Sequence, residues 1–369
     1  MSLNGDCAMP RLFAFVVLFF GTYALASDHG SRDGAPRVEA ACADDATLTA
    51  WCDIKNPEDL ALTPDGDFLL TTAFGGLPVP VASKMMLVDL RTMKKSEIEI
   101  VLGAGRWGDP KCTRTTTDFS THGLDVVKRA DDKYMVAVTN HLPTETVELF
   151  ELLPRDGSWY LRWRGCVGAP LLEAGARYPL FNDVALKRDG SFYVTEMYNG
   201  KMPFPELLQA GRDGKNTGQV WFWSPDSGLS ALTGSDGGFP NGIAINAAEN
   251  TLYVNYWFSG KTVKIDIASG QIEATHLAGR ADNLTIANGS LYAAKHDMSI
   301  DEYVTNCGGD TVNCFLPFTI YELDMATLAE KNVWQFDSKA FGFATVALPV
   351  DGRMWLGSAH SDRLAAFAY

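Results

Sequence analysis

Short runs of alternating apolar and polar residues recur along this chain, and a turn signal bounds each run. Val, Leu, Tyr, Phe and Thr are frequent within the runs, and Asp-Gly, Asn-Gly or Pro-Asp pairs separate them. Alternation with a period of two is typical of β-strands that bury one face, whereas the longer period of amphipathic helices is nearly absent. The pattern therefore predicts an all-β protein.

One unit of this pattern recurs six times. It consists of a small polar pair, a strand, a turn, a second strand, a loop and a third strand, and the units begin at Pro57, Thr121, Phe181, Pro240, Ala281 and Ala344. A small antiparallel sheet of this kind buries both faces only when it is stacked in a ring. The repeat predicts a six-bladed β-propeller with a central channel over residues 42–369, and it disfavours a β-sandwich. The segment Cys42 to Trp51 is expected to add a strand to the last blade.

The N-terminal region has a different pattern. Residues Leu12 to Ala26 are apolar, follow Arg11 and end in Ala24-Leu25-Ala26. This run is shorter than the roughly 20 residues of a membrane span, and its small-residue end matches a signal-peptidase site. We expect residues 1–26 to be a cleaved secretory signal, with an uncleaved anchor as the alternative, and residues 27–41 to be a flexible leader. The mature protein would be secreted or periplasmic, with no stable membrane anchor.

The cysteines agree with export. Six of the seven lie beyond the signal, at Cys42, Cys52, Cys112, Cys166, Cys307 and Cys314. An even number in an exported chain indicates disulfides, whereas the spacing required for a zinc site is missing. Cys307 and Cys314 flank a short Gly-rich segment and are the expected pair. The other four allow three pairings, which the sequence does not rank.

The charge balance narrows the class of partner. The 369 residues include 45 acidic and 31 basic side chains, for a formal net charge of −14, and 46% of the residues are hydrophobic. Such a chain is too hydrophobic to be disordered, and it lacks the basic excess that binding to phosphates requires. We therefore expect no nucleic-acid partner, although an acidic protein can hold a hard cation.

The residues that open the first strand of each unit carry the candidate chemistry. In a propeller this strand borders the channel, so residues from all units converge on one axis. Most of them offer carboxylate or amide oxygens: Glu58, Asp59, His122, Asn182, Asp183, Asn241, Asp282, Asn283 and Thr345. Ca²⁺ accepts six to eight oxygens in flexible geometry, so the ring predicts a Ca²⁺ site. Asx turns at the strand starts are the structural alternative.

Two histidines suggest a base. His122 opens the first strand of the second unit, and His141 ends the next strand, so the two side chains are expected to meet. An imidazole near its ordinary pKa is suited to activating water, and a second imidazole can orient it or relay its proton. His296 and His360 close strands in later units and are expected to line the same mouth.

Rival motifs do not account for the sequence. There is no G-x-S-x-G elbow, no H-E-x-x-H and no P-loop. The G-x-G-x-x-G at residues 103–108 is not followed by the amphipathic helix that would bind pyrophosphate, so we do not interpret it as a dinucleotide-binding motif. The glycosylation sequon at Asn283 overlaps the predicted metal ring and is expected to stay unmodified.

At these residues the chain resembles the paraoxonase family of Ca²⁺-dependent arylesterases and lactonases, within the wider SMP-30/gluconolactonase propeller group. The resemblance covers nearly all of the predicted mature chain. It is carried, in the family's order, by PEDLALTPDG, THGLDVV, TNHLPTETVELFEL, FNDVALKRDGSFYVTE, PNGIAIN, ADNLTI and TVALPVDGRMWLGSAH. The third motif is the most specific, because generic propellers lack it.

Carried over residue by residue, the resemblance implies two Ca²⁺ ions in the channel. The ligands of a catalytic ion would be Glu58, Asn182, Asn241, Asp282 and Asn283. Those of a deeper structural ion would be Asp59, Asp183 and the backbone carbonyl of Leu124. His122 and His141 match the family's His dyad, and Asp282 is an alternative base or nucleophile.

The chain also departs from the family's pattern. The family joins an N-terminal cysteine to one near the C-terminus, and the final LAAFAY has none, so hydrogen bonds are expected to close the ring. Residues 201–218 and the insert between Cys307 and Cys314 are not family signatures, and we expect them to be loops that shape a pocket.

These observations favour an exported Ca²⁺-dependent hydrolase of lactones or aryl esters. The enzymatic alternative is a sugar-lactone hydrolase of the gluconolactonase kind, which would not need His141. The alternative from another class is a secreted binding propeller in which Ca²⁺ serves only stability.

Overall fold

The structure is a computed structural model that describes residues 41–369 apart from 106, 173–174, 176 and 308–312. The predicted signal and nearly all of the predicted leader lie outside the described residues. In chain order the elements are β1 (Thr49–Cys52), β2 (Pro57–Leu62), β3 (Phe68–Ala73), β4 (Met85–Asp89), β5 (Lys95–Glu97), β6 (Glu99–Leu102), β7 (Thr121–Lys128), β8 (Tyr134–Asn140), β9 (Thr146–Arg155), β10 (Ser158–Gly168), β11 (Pro179–Leu186), β12 (Phe192–Asn199), α1 (Phe204–Arg212), β13 (Val220–Ser224), β14 (Gly228–Ala231), β15 (Pro240–Ile245), β16 (Thr251–Tyr256), β17 (Lys261–Asp266), β18 (Ile272–His276), β19 (Arg280–Ala287), β20 (Ser290–His296), α2 (Ile300–Cys307), β21 (Phe318–Asp324), β22 (Glu330–Phe336), β23 (Val346–Val350), β24 (Arg353–Gly357) and β25 (Arg363–Ala368).

The described strands form six sheets, one for each repeat unit, and the six-bladed propeller is confirmed. Blade 1 has the order β2-β3-β4-β5, and blades 3, 4 and 5 have the orders β11-β12-β13-β14, β15-β16-β17-β18 and β19-β20-β21-β22. Blade 2 has the order β7-β8-β9-β10-β6, in which β6 pairs in parallel with β10. Blade 6 has the order β23-β24-β25-β1.

Most blades carry a fourth, outer strand that the repeat did not predict. The repeat unit has three strands, yet β14, β18 and β22 each pair antiparallel with the third strand of their blade. These outer strands are mostly exposed, so burial imposes no strict alternation on their sequence.

Six apolar clusters hold the ring together, and each spans two neighbouring blades. Phe68 and Leu87 of blade 1, for example, pack with Val136 and Phe150 of blade 2. Equivalent clusters join each of the remaining pairs of neighbouring blades, including blades 6 and 1. The hydrophobic face that each sheet exposes alone is thus covered by the next blade.

The first and last strands close the ring. β1 pairs antiparallel with β25 from Thr49↔Ala366 to Cys52↔Arg363. Cys42 forms a disulfide with Cys52, within the N-terminal segment, so backbone pairing closes the propeller, as expected from the missing C-terminal cysteine. The expected Cys307–Cys314 disulfide is present, and the remaining pair is Cys112–Cys166.

One of the two helices lies where the sequence indicated a loop, because α1 falls within residues 201–218. The other, α2, ends at Cys307, and most of the insert predicted between Cys307 and Cys314 lies outside the described residues. The two helices contact each other, and Leu207 of α1 and Ile300 of α2 are buried in one cluster with Trp257 and Phe343. Among the described residues no helix is long and apolar enough to cross a membrane.

Candidate active site

A bulge interrupts the inner strand in five of the six blades, at the residues predicted to carry the chemistry. Thr121 pairs with Asn140 and Leu124 with Val138, so His122 and Gly123 have no direct partner. The same irregularity leaves out Glu58, Asn182 with Asp183, Asn241 with Gly242, and Asp282 with Asn283. Bulges re-aim side chains beside active sites, and these five occur on strands that contact one another around the channel.

Gly123 and Gly242 occupy two of these bulges because the next blade lies too close for a side chain. A Cβ on Gly123 would meet the backbone Cα of Asp183 at 2.7 Å, and one on Gly242 would meet the carbonyl oxygen of Asp282 at 2.4 Å. The glycines let neighbouring inner strands approach, which draws the functional residues together.

Four oxygens at the predicted ligand positions are buried without a hydrogen-bond partner. They are Glu58 Oε2, Asn182 Oδ1, Asn241 Oδ1 and Asn283 Oδ1, and we call them the open oxygens. Within the described part of the chain, these four are the only side-chain carboxylate or amide oxygens in that state. Leaving a buried acceptor unpaired costs about 1–3 kcal/mol. Four unpaired acceptors around one channel therefore indicate a common partner that binds all of them.

Burial, together with neighbouring carboxyl groups, raises the pKa of the carboxyl groups at this site. Burial raises the pKa of Glu58 well above its ordinary value, and the nearby Asp59 and Asp282 raise it further. Burial likewise raises the pKa of Asp282, against a hydrogen bond from Asn241 that lowers it. Burial and the neighbouring carboxyl groups both disfavour negative charge, and a bound cation would instead favour it.

A second set of carboxylates has its hydrogen bonds satisfied, and we call its members the bridging aspartates. Asp59 accepts from the N–H of Leu60 and, in the next blade, from the N–H of Leu124, both at 2.8 Å. Asp125 bridges to Leu186 and Asp183 to Ile243 in the same way. Burial raises the pKa of Asp59 to about 7 even so. Each of these residues thus links one inner strand to the next.

The donor set fits a hard cation. In the described part of the chain, no three His, Cys, Asp or Glu side chains are grouped to hold a metal by themselves. The asparagine amides therefore complete the predicted ligand set. Its donor atoms are oxygens, which suit Ca²⁺ better than a soft metal. Leu124 contacts Asp59 through its N–H. Ligation by its carbonyl, like the other ligand roles, stays a prediction.

The two predicted histidines are in contact. His122 Nδ1 lies 3.0 Å from His141 Nε2, and each residue is 5% exposed. His122 Nε2 lies 3.5 Å from Asn182 Nδ2 and 3.9 Å from Glu58 Oε1, so it borders the open oxygens. Burial, and then the neighbouring His141, hold the pKa of His122 well below its ordinary value. The buried site therefore favours the uncharged form of the His122 ring, and its role as a base stays a prediction.

Sequence reasoning missed Glu145, which lies beyond this pair. His141 Nδ1 is 2.9 Å from Glu145 Oε2 and 3.0 Å from Oε1. Glu145 Oε1 also accepts the N–H of Phe181 at 2.8 Å, and the residue is 7% exposed. The signal was present as a glutamate four residues after His141, across a turn that contains Pro143.

His296 also borders the channel. Its Nε2 is 3.5 Å from Asp282 Oδ2, and its Nδ1 accepts the indole N–H of Trp257 at 3.1 Å. Burial lowers the pKa of His296 to about 3, so the ring is neutral. His360 interacts with Tyr303, whose hydroxyl lies 3.0 Å from its Nε2. Both histidines lie near Phe343. That they line the same mouth as His122 and His141 stays a prediction.

An open cavity of about 440 Å³ adjoins His141 and Glu145. Most of its wall is apolar and includes Leu77, Pro78, Leu180, Tyr198, Met202 and Phe204. Phe204 belongs to α1, so residues 201–218 do contribute to this pocket. A cavity of this size accommodates a small organic molecule.

Comparison with known proteins agrees with this architecture. The family model described as SMP-30/Gluconolactonase/LRE-like region matches residues 114–317. No curated protein sequence matches the chain.

Solved structures show the same fold at low sequence identity. A gluconolactonase from Xanthomonas campestris is 14% identical, with a TM-score of 0.50, over 89% of this chain and 91% of its own. A luciferin-regenerating enzyme is 11% identical, with a TM-score of 0.51, over 86% and 92%. A glucose dehydrogenase is 12% identical, with a TM-score of 0.50, over 88% and 99%. Neighbours with such different names support the fold and leave the activity to the site.

Proposed function

The chain belongs to the SMP-30/gluconolactonase/LRE-like family, and we propose that it is an exported Ca²⁺-dependent hydrolase of lactones or aryl esters. The observation that carries the proposal is the juxtaposition of the open oxygens with a buried pair of histidines in contact. A cation site alone would suit a stabilised binding protein, whereas a base at its edge suits hydrolysis.

The ligands of the catalytic ion would be Glu58, Asn182, Asn241, Asp282 and Asn283. A Ca²⁺ ion held there would polarise the substrate carbonyl and stabilise the negative charge that develops on its oxygen. The deeper ion would be held by Asp59, Asp183 and the carbonyl of Leu124.

The chain's own residues would move the proton. His122 Nε2 takes a proton from water, and the water oxygen attacks the carbonyl carbon. The alcohol oxygen leaves and receives the proton from His122, so ester or lactone and water give acid and alcohol. His141 supports the charged His122 through the 3.0 Å contact. Asp282, 7% exposed at the same channel, is the alternative base.

The cavity favours substrates with a hydrophobic substituent. Sugar lactones carry several hydroxyl groups that need partners, whereas the wall beside His141 is mostly apolar. An aryl ester or an alkyl-substituted lactone would bury apolar surface there.

A sugar-lactone hydrolase is the second candidate, because the family model and the gluconolactonase neighbour support it equally. The two candidates differ in their need for His141.

Turnover measurements test the proposal. Purified protein, stripped with EGTA and then given Ca²⁺, should regain hydrolysis of phenyl acetate and alkyl-substituted γ-lactones, and His141→Ala should lower that rate by about 100-fold. Full activity in EGTA would contradict the proposal. Preference for gluconolactone, with His141→Ala unaffected, would favour the second candidate.

A further inference from the structure

We propose that Glu145 is a positioning residue that fixes the tautomer of His141 and thereby points the free lone pair of His122 at the reacting water. This inference rests on the proposed hydrolase function. It concerns a residue outside the predicted dyad, and it makes the dyad the inner part of a three-membered chain.

The carboxylate sets the direction of the chain from one end. Its oxygens lie 2.9 and 3.0 Å from His141 Nδ1, and the N–H of Phe181, which can only donate, occupies Oε1 at 2.8 Å. Burial raises the pKa of Glu145, and the neighbouring His141 and the N–H of Phe181 act in the opposite direction. In its ionised form the carboxylate accepts and does not donate, so it selects the His141 tautomer that carries its proton on Nδ1. In that tautomer His141 Nε2 is an acceptor.

The orientation passes to His122. Since His141 Nε2 accepts at 3.0 Å, His122 Nδ1 is the donor, and His122 Nε2 keeps its lone pair. The amide Nδ2 of Asn182 lies 3.5 Å from that Nε2, as a donor facing an acceptor. The Oδ1 of the same amide is an open oxygen. The contacts at Glu145 and at Asn182 therefore agree on which nitrogen of each histidine donates and which accepts.

The surroundings hold the three side chains in place. Phe74 packs on His122 with ring centroids 4.3 Å apart, and the backbone N–H of His141 donates to the carbonyl of Ser120. The Arg114 guanidinium donates to the carbonyl of Leu142 at 2.8 Å, and the Asn140 amide also donates to that carbonyl. A turn held this firmly gives Glu145 little freedom to leave His141.

Glutamine at position 145 removes this control with little change in shape. Its amide can accept from Nδ1–H or donate to a bare Nδ1, so both His141 tautomers become available. We expect Glu145→Gln to lower kcat by about 100-fold with little change in KM, because a mis-set tautomer impairs proton transfer more than substrate binding. Glu145→Asp, which keeps the carboxylate, should recover part of the loss.

A matched control separates positioning from general damage. Glu151 is also buried on β9, and its carboxylate pairs with Arg164 Nη1 at 2.6 Å. It lies in the middle of β9, six residues beyond Glu145, where it pairs with Met135 and Arg162. Glu151→Gln should leave kcat unchanged, and all variants are compared at equal folded fraction by circular dichroism.

A double-mutant cycle and imidazole spectra complete the test. If Glu145 acts through His141, Glu145→Gln should cause no further loss in a His141→Ala background. In ¹⁵N-histidine-labelled protein, His141 should show a protonated Nδ1 and a bare Nε2, and Glu145→Gln should give mixed tautomers. An equal loss of kcat in both backgrounds, or an unchanged His141 tautomer in Glu145→Gln, would overturn the positioning role. Absence of turnover on every substrate would instead refute the proposed function, and the spectra would still decide the tautomer.

Discussion

The open oxygens and the bridging aspartates line the same channel, yet their hydrogen bonding is opposite. Each bridging aspartate accepts backbone N–H groups from its own strand and from the next blade. Glu58, by contrast, uses Oε1 to accept from Asn283 and leaves Oε2 without a partner. The bridging aspartates already have hydrogen-bond partners within the protein, while the open oxygens require a partner from outside it. The difference indicates that architecture and chemistry are divided between residues that are neighbours in sequence, such as Asp59 and Glu58.

Glu58→Gln should give the largest effect. The amide is close in shape, but it removes a charge from the proposed ligand set and turns one open oxygen into a donor. We expect hydrolysis to fall by about 1,000-fold, as for other losses of electrostatic stabilisation in an active site. The melting temperature in chelator should be unchanged or higher, because the pKa of Glu58 is already raised by burial. Loss of stability in chelator would indicate that Glu58 belongs with the structural residues.

Removal of Ca²⁺ should lower stability, and the loss should increase with pH. A ligand present at 1,000 times its Kd stabilises the folded state by about 4 kcal/mol. In chelator the pKa of Asp59 is about 7 against an ordinary 3.8, so the folded protein binds more protons than the unfolded chain between about pH 4 and 7. Its stability therefore falls as pH rises through that window.

Thermal melts at pH 5 and pH 7.5, with EGTA or with Ca²⁺, measure this effect. The rise in melting temperature on adding Ca²⁺ should be larger at pH 7.5 than at pH 5. An equal rise at both values would argue against carboxylates as the ligands.

Asp125→Asn should give a smaller and purely structural effect. Asp125 is the bridging aspartate that lies outside the predicted ligand set, and it accepts the N–H of Val126 and of Leu186, each at 2.7 Å. Asparagine would turn an NH₂ group toward one of these donors, at a cost of about 2 kcal/mol. Urea unfolding should show that loss, with the apparent Ca²⁺ affinity unchanged. A weakened affinity would mean that the two sets are coupled through β7.

The sequence predicted the ring and its inner strands because burial imposes a strict pattern on them. Six repeats of one strand–turn–strand unit leave few alternatives, and the polar residues that break the pattern mark the bulges. The outer strand β22 escaped prediction, because its exposed residues need no alternation. Helix α1 was missed although it has an early proline, with Glu206 in its first turn and Arg212 in its last.

The candidate site divides in the same way. The oxygens of Asn182 and Asn241 could be predicted, since each opens an inner strand and the strands converge. Glu145 could not, because its role depends on a turn that carries its carboxylate back to His141. Its burial beside a histidine is a property of the folded loop and leaves no periodic trace in the sequence.

The closure of the ring by β1 and β25 also affects the order in which the propeller folds. Thr49 pairs with Ala366, and Ser338 donates to Asp45, so the first and last strands of the propeller meet in one blade. Five blades can be completed as the chain emerges, but blade 6 must wait for the last residues before it can receive its outer strand. Until then β1 has no partner strand, and long-range pairing of this kind is slow. Assembly of the channel should therefore be a late, all-or-none event in folding.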